Sequence, residues 1–451
     1  MRRRGGNFGI AGIAAAAAAA VLSAAPVHAA GFSIFEHGSK AMGMAGAFTA
    51  QADDPSLLFH NAGGLAFVEE RQISTGVTWI TSTEADFEGS NPFPGAGYEA
   101  QQKDLSEFPP HLYWVQPITD TWKFGLGINA PFGLTTEWEN PDQFRGRFLS
   151  TKAALRAIDV NPTLGWQITP SFGLGIGAIG RFSDVELARS IGAVNPFTQT
   201  AADVGRLTLE SDFGSAFGFN AGILHKVNNS FSWGLSYRSP ITVDYEGDAR
   251  VAQVPTGNAQ FDAIVRTQIP FGKDLPVETS IDFPDQASLG LAFAITPNLL
   301  VETDFNWMGW SSFQEVKIDF TGGTLGGSGN ALPDATIREE WDDANSYRVG
   351  LRWNSSPAAQ WRFGYVFDET PQPEEAVSPL LPDADRNGFT IGYGHNPAAG
   401  GLGFDVALMY LPFDERTRDQ SFPTTTGQVP EPTFFGSYNT TAYLLGVTIN
   451  W

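Results

Sequence analysis

The chain contains no cysteine. That excludes a disulfide framework and any lipid anchor built on a terminal cysteine. Positive charge is also scarce: 27 Lys and Arg stand against 49 Asp and Glu, a net charge of −22. Nucleic acid is therefore excluded as a partner, and so is attraction to anionic lipid. Past residue 30 the histidines are His37, His60, His111, His225 and His395. No two of them have metal-ligand spacing, and no nucleophile elbow accompanies them. The sequence points to no enzyme, no metal and no cofactor. Beyond the first 25 residues, no run approaches the roughly 20 apolar residues of a membrane-spanning helix.

What is present is apolarity in dispersed form. Hydrophobic residues make up 42% and aromatics 13%, with 35 Phe, 12 Trp and 50 Gly, a composition that suits a barrel wall better than a helical bundle. The compartment is read from the start of the chain. Arg2, Arg3 and Arg4 precede an alanine-rich apolar stretch from Phe8 to Ala25, then Pro26 and Val27-His28-Ala29. Residues 1–29 read as a secretory signal peptide cut before Ala30, in preference to an anchor helix. Removing the three arginines takes the basic count from 27 to 24 and the net charge from −22 to −25. The acids then belong in solvated loops, where divalent ions can bridge them at a cell surface.

The last ten residues place Tyr443, Leu445, Val447, Ile449 and Trp451 on one face and Ala442, Leu444, Gly446, Thr448 and Asn450 on the other. That is the period of a strand between lipid and a wet interior. From residue 71 to residue 451 about fourteen such segments recur. Five fall near 207–226, 230–249, 279–296, 299–319 and 341–354. In one, Val301, Thr303, Phe305 and Trp307 oppose Glu302, Asp304 and Asn306; in another, Tyr347, Val349, Leu351 and Trp353 oppose Arg348, Gly350 and Arg352. Such charges would ruin a dry core but suit a hydrated lumen. Tight links at Thr119-Asp120, Thr169-Pro170-Ser171, Val227-Asn228-Asn229 and Thr296-Pro297-Asn298 alternate with long ones, which places both chain ends in the periplasm. The fold class predicted is all-β: a 14-stranded antiparallel transmembrane barrel over residues 71–451.

Residues 30–70 break the pattern. They are rich in Gly, Ala and Met, with a helix-like stretch from Lys40 to Ala50, and are read as a hatch folded inside the lumen in preference to a periplasmic tail. A second irregularity lies in the third strand. There Lys123 to Ile128 alternates cleanly until Asn129-Ala130-Pro131-Phe132-Gly133, where a residue without a ladder N–H stands close to a flexible one. A kink and a lateral opening are expected, with a plain rim bulge as the bland alternative.

Ala30-Gly31-Phe32, the stretch Gly38 to Ala47, Ala52-Asp53-Asp54-Pro55 and Asn61-Ala62-Gly63-Gly64-Leu65-Ala66 together resemble the hatch of the FadL/OmpP1 long-chain fatty acid transporters. Further stretches agree in order, among them Asp159 to Leu164, Trp307 to Phe313 and Leu381 to Arg386. The resemblance implies a monomeric outer-membrane barrel that takes up long-chain fatty acids or other hydrophobic small molecules by passive diffusion, released through a kinked third strand. An aromatic hydrocarbon channel of the same family is the alternative, and a general porin a third. The family's Asn-Pro-Ala is here Asn61-Ala62-Gly63, followed by Gly64. Implied partners are outer-membrane lipid and lipopolysaccharide, and the barrel assembly machinery that reads a terminal aromatic such as Trp451.

A fatty acid needs an apolar slot and a cation. The candidates are Phe32, Ile34 and Phe35 for the slot, and the lumen-facing Arg238, Arg348, Arg352 and Arg362 for the carboxylate. Ion pairing of these arginines with Asp53, Asp54, Glu302, Asp304 or Asp405 is the competing reading. Two motifs are set aside. Gly175 to Gly180 spells the dinucleotide fingerprint but lies inside a strand. Asp383, Asp385 and Asn387 open like a calcium loop, yet the twelfth position is Gly394.

Overall fold

A strand with Phe217, Phe219 and Ile223 on one face and Gly218, Asn220 and Gly222 on the other satisfies both faces only between an apolar and a polar medium. The computed structural model describes residues 31–320, 334–396, 401–423 and 433–451, and the leader expected over residues 1–29 lies outside them. Among the described residues fourteen strands form a ring: β1 (Gln72–Gly89), β2 (Pro110–Pro117), β3 (Trp122–Glu137), β4 (Lys152–Thr169), β5 (Phe172–Val194), β6 (Gly214–Asn228), β7 (Phe231–Arg238), β8 (Gln286–Thr296), β9 (Leu299–Met308), β10 (Ala344–Ser356), β11 (Ala359–Asp368), β12 (Arg386–His395), β13 (Gly403–Pro412) and β14 (Gly436–Asn450). Each pairs antiparallel with the next. The ring closes where β14 meets β1, from Ser74 opposite Asn450 to Ile80 opposite Leu444.

The alternation sorts the side chains as the composition demands. Phe217 is 84% exposed on the outer face, whereas its near neighbour Asn220 is 3% exposed. Trp79, Trp122, Leu164, Trp166, Leu235, Phe305, Trp353 and Leu408 share the outer face. Each would cost about 1.5–3 kcal/mol if left in water, so this belt fits only against lipid. Connections of two to four residues join β2 to β3, β4 to β5, β6 to β7, β8 to β9 and β10 to β11 at one end. The long connections lie at the other end, one of them carrying the helix Ala259–Gln268, which the Asn258 side chain caps.

Four of the expected segments, near 207–226, 230–249, 279–296 and 299–319, prove to be interrupted. The strands Ala201–Ser211, Ile241–Gln253, Asp274–Phe283, Glu315–Phe320 and Ala335–Arg338 extend β6 to β10 on the long-loop side, and pair among themselves in the same order. Pro240 and Pro284, which offer no ladder N–H, fall in two of the breaks. A 3₁₀ turn at Trp310–Ser312 makes a third.

Residues 31–68 are almost all buried, and they bond to inward side chains of the ring strands. The helix-like stretch is shorter than its composition predicts. Only Ser39–Met42 is α-helical, because Ala45 (φ 55°) and Gly46 (φ 77°) turn the chain left-handed. Two further short turns, Leu57–His60 and Ala62–Phe67, complete the segment.

Candidate functional site

An irregular segment inside a barrel carries backbone groups that no ladder satisfies, and each must find a partner. The inward charges of the wall supply them. Glu302 on β9 accepts from Ala50 N–H at 2.6 Å, and Asp304 accepts from Phe48 and Thr49 N–H, both at 3.0 Å. Arg348 donates to the Ala45 carbonyl at 2.8 Å and Arg238 to the Phe59 carbonyl at 3.2 Å. Asn61 ties three elements together. Its amide donates to the Thr49 carbonyl (2.7 Å) and, across to β6, to the Ile223 carbonyl (2.9 Å), while its oxygen accepts from Gly63 N–H (2.9 Å). The wall also leaves room: a Cβ on Gly175 would come 2.0 Å from the Ala62 carbonyl oxygen, and one on Gly234 2.1 Å from that of Thr49. The glycines of the dinucleotide look-alike include one that seats this segment.

The four candidate arginines are committed to carboxylates. Arg348 pairs with Asp368 at 2.9 Å, Arg362 with Asp405 at 2.6 Å, and Arg238 with Asp159 at 3.5 Å, the last also held by Arg181 through bonds of 2.8 and 2.9 Å. Arg352 binds Asp53, which Lys40 also meets at 3.2 Å. Asp54 instead accepts from Ser56 N–H at 2.9 Å. Phe35 packs edge-on against Phe59 and His60, with the Arg348 guanidinium above its ring. Burial holds the His60 imidazole neutral down to about 3 and depresses His37 likewise. Burial raises the Glu36 carboxyl, although nearby Arg348 draws it back.

The third strand is where the wall fails to close. Pairing of β2 with β3 runs from Pro117 opposite Lys123 to Leu112 opposite Ile128 and stops there. On the other side the β3–β4 ladder steps from Asn129 opposite Asp159 to Phe132 opposite Ala157, so Ala130 and Pro131 bulge out of register. Across the gap the Thr135 hydroxyl donates to the Glu107 carboxylate at 3.0 Å, and backbone contact resumes where Lys103 N–H meets the Glu137 carbonyl at 2.7 Å. Between these points the N-terminal segment takes the missing strand's place. Ile34 N–H donates to the Pro131 carbonyl at 2.8 Å, and Gly133 N–H to the Phe32 carbonyl at 3.0 Å, with Ser33 bridged to Phe132. A Cβ on Gly133 would press within 2.9 Å of Ile34 Cδ1.

Behind the gap lies a cavity of about 320 Å³. Phe32, Ile34, Ala130, Phe132, Leu155 and Leu411 are among its apolar lining; Glu36, Glu107, Asp383, Arg156 and Arg386 carry its charges. Its size and apolar character suit a small hydrophobic ligand. Arg386, which parity alone did not single out, donates to the Gly31 carbonyl and stacks on Phe413. Asp383 accepts from Gly31 N–H at 3.0 Å and from the Thr370 hydroxyl at 2.6 Å, so this carboxylate anchors the chain. Among the described residues no three acidic or imidazole groups converge on a metal position.

The family described as "Outer membrane protein transport protein (OMPP1/FadL/TodX)" matches residues 20–451. A long-chain fatty acid transport protein of Escherichia coli O6:H1 is 25% identical over 88% of this chain and 90% of its own length. Outer membrane protein P1 of Haemophilus influenzae is 23% identical over 88% of each chain. In fold, the chain resembles a Pseudomonas aeruginosa FadL homologue (TM-score 0.77, 19% identity, 94% of this chain and 99% of that one). It also resembles the Ralstonia pickettii toluene transporter TbuX (TM-score 0.63, 16% identity, 91% and 97%).

Proposed function

The chain belongs to the OMPP1/FadL/TodX family of outer membrane transport proteins, and on that premise we propose that it admits long-chain fatty acids or related hydrophobic compounds by passive diffusion and releases them sideways through the gap at Asn129–Gly133. It is an outer-membrane transporter of hydrophobic compounds and not an enzyme. In this reading residues 30–70 are a hatch that blocks the lumen, and no aqueous pore is needed. The physical need for a side exit is plain. At about 0.8 kcal/mol per methylene, carrying roughly fifteen methylenes through water would cost about 12 kcal/mol. A path from an apolar cavity directly into the bilayer avoids that cost.

The observation that carries the proposal is the end of β2–β3 pairing at Ile128, with an apolar cavity directly behind the unpaired edge of β3. That edge is covered by two backbone bonds from residues 32–34, not by a neighbouring ring strand. Replacing Asn129 to Gly133 with a regular alternating segment should restore the ladder and abolish oleate and toluene uptake while the barrel still assembles. Unchanged uptake would sink the sideways route.

A further inference from the structure

Two adjacent strands carry four charged side chains toward residues 45–53: Glu302 and Asp304 on β9, Arg348 and Arg352 on β10. Glu302, Asp304 and Arg348 are at most 3% exposed. Asp304 is the direct register partner of Arg348, and Glu302 stands opposite Gly350, diagonal to both arginines. Opposite charges so placed ordinarily pair across the strands, since facing Cβ atoms lie about 4.5–5.5 Å apart and diagonal neighbours stay within reach of long side chains. Here, among the described residues, neither acid of the four pairs with either arginine; the arginines pair with Asp368 and Asp53. Each of the four is instead bonded to residues 45–53. Glu302 holds the Ala50 N–H, Asp304 those of Phe48 and Thr49, Arg348 the Ala45 carbonyl, and Arg352 the side chains of Gln51, at 2.7 Å, and Asp53. Met44 completes the wedge. A Cβ on Gly350 would come 2.7 Å from Met44 Cβ, so residue 44 covers the place where Glu302 and Arg352 would meet.

We infer that this patch is a two-position latch: it grips residues 45–53 while they are seated, and when they withdraw the same side chains pair with one another, Asp304 with Arg348 and Glu302 with Arg352. The inference rests on the hatch reading above and adds the means by which a hatch can be released. Buried charges that lose their partners are strongly destabilising. With no second set of partners, lifting residues 45–53 would strand two acids and leave two arginines short of acceptors, and the segment would be fixed in place. With that second set, the four charges balance and stay bonded in either position. Arg348 can keep Asp368, now at 2.9 Å, and turn toward Asp304 only the nitrogen that leaves the Ala45 carbonyl. Such a bistable element lowers the cost of opening without weakening the seated contacts.

The test compares opening in the whole mature protein in detergent micelles, read as proteolytic cleavage within residues 31–68 at one fixed pH, on barrels whose heat-modifiable migration shows them folded. Glu302→Gln with Asp304→Asn keeps an oxygen acceptor for the N–H groups of residues 48–50 but cannot form the ion pairs. Cleavage should slow at least fivefold. Acids that serve only to seat the segment predict the reverse, because neutral acceptors hold an N–H less strongly than carboxylates do. Unchanged or faster cleavage would therefore overturn the inference. Should the double variant give no folded barrel, Glu302→Gln alone should still slow cleavage at least twofold, and a rate equal to or above that of the unaltered chain would count against the latch. Cleavage of the unaltered chain within residues 31–68 as fast as in the denatured protein would contradict the hatch reading, and the latch with it; slow cleavage that the variants do not slow further would contradict the latch alone.

Discussion

At the scale of single residues, the lumen charges divide into those that hold the fold and those that line the cavity. Arg348 and Asp368 are buried together, so Arg348→Ala strands a carboxylate and should cost about 3–5 kcal/mol. Arg352 pairs with an Asp53 side chain that is 41% exposed, and Arg352→Ala should cost no more than about 1 kcal/mol. Thermal or denaturant unfolding of the purified barrels checks the contrast. Since both arginines are committed to carboxylates, neither substitution should penalise fatty acid binding more than toluene binding; a loss confined to fatty acid would make them ligand-binding. Proton linkage acts on the same segment. His60, about 3 when folded against an ordinary value of 6.5, favours the seated segment fully above 6.5 and loses that contribution as pH falls toward 3. Proteolysis of residues 31–68, corrected for the protease's own pH response, should therefore speed up and their hydrogen-exchange protection factors fall below pH 6.5, and His60→Asn should reduce that dependence, His37 keeping its share.

At the scale of elements, seating depends on close approach of two backbones. Gly175→Val and Gly234→Val would each place a side chain where a carbonyl of residues 49 or 62 now lies. Either should displace the segment while the ring still closes, read as small-sugar leakage that the unaltered chain does not show. The elements themselves were legible in advance because period two is a strong signal whenever one face is lipid: the closing β1–β14 pair lies where Tyr443 to Trp451 required it. The interruptions beside β6 to β9 were not, since Pro240 and Pro284 occur inside segments whose alternation continues on both sides. The bulge at Ala130–Pro131 was legible from Pro131 and Gly133 alone. Parity assigns a face but not a height along the strand. It could therefore propose Arg348 and Arg362 as lumen residues but could not show that Asp368 and Asp405 meet them. Nor could it show that Phe283, Trp310 and Trp341, distant in sequence, converge on Phe32.

At the scale of the molecule, the protein is a bacterial outer-membrane barrel, and among its described residues the β2–β3 ladder breaks off at Ile128. In the proposed reading residues 31–68 act as a hatch, and their backbone bonds at residues 32–34 stand in for a strand at that break; displacing them there is then expected to open the cavity to the bilayer. The missing cysteines make this directly testable. Ser33 and Phe132 face each other as a bridge pair whose flanking residues carry the hydrogen bonds, the arrangement in which opposing Cα atoms approach to about 4.5 Å. That is within reach of a disulfide. Ser33→Cys with Phe132→Cys, in a chain with no other thiol, would lock the segment onto β3 when oxidised and release it when reduced. The measurement is uptake of labelled oleate and toluene by cells carrying this double variant, oxidised and then reduced. Sideways exit predicts at least a tenfold loss on oxidation that reductant restores; equal uptake in the two states would contradict it.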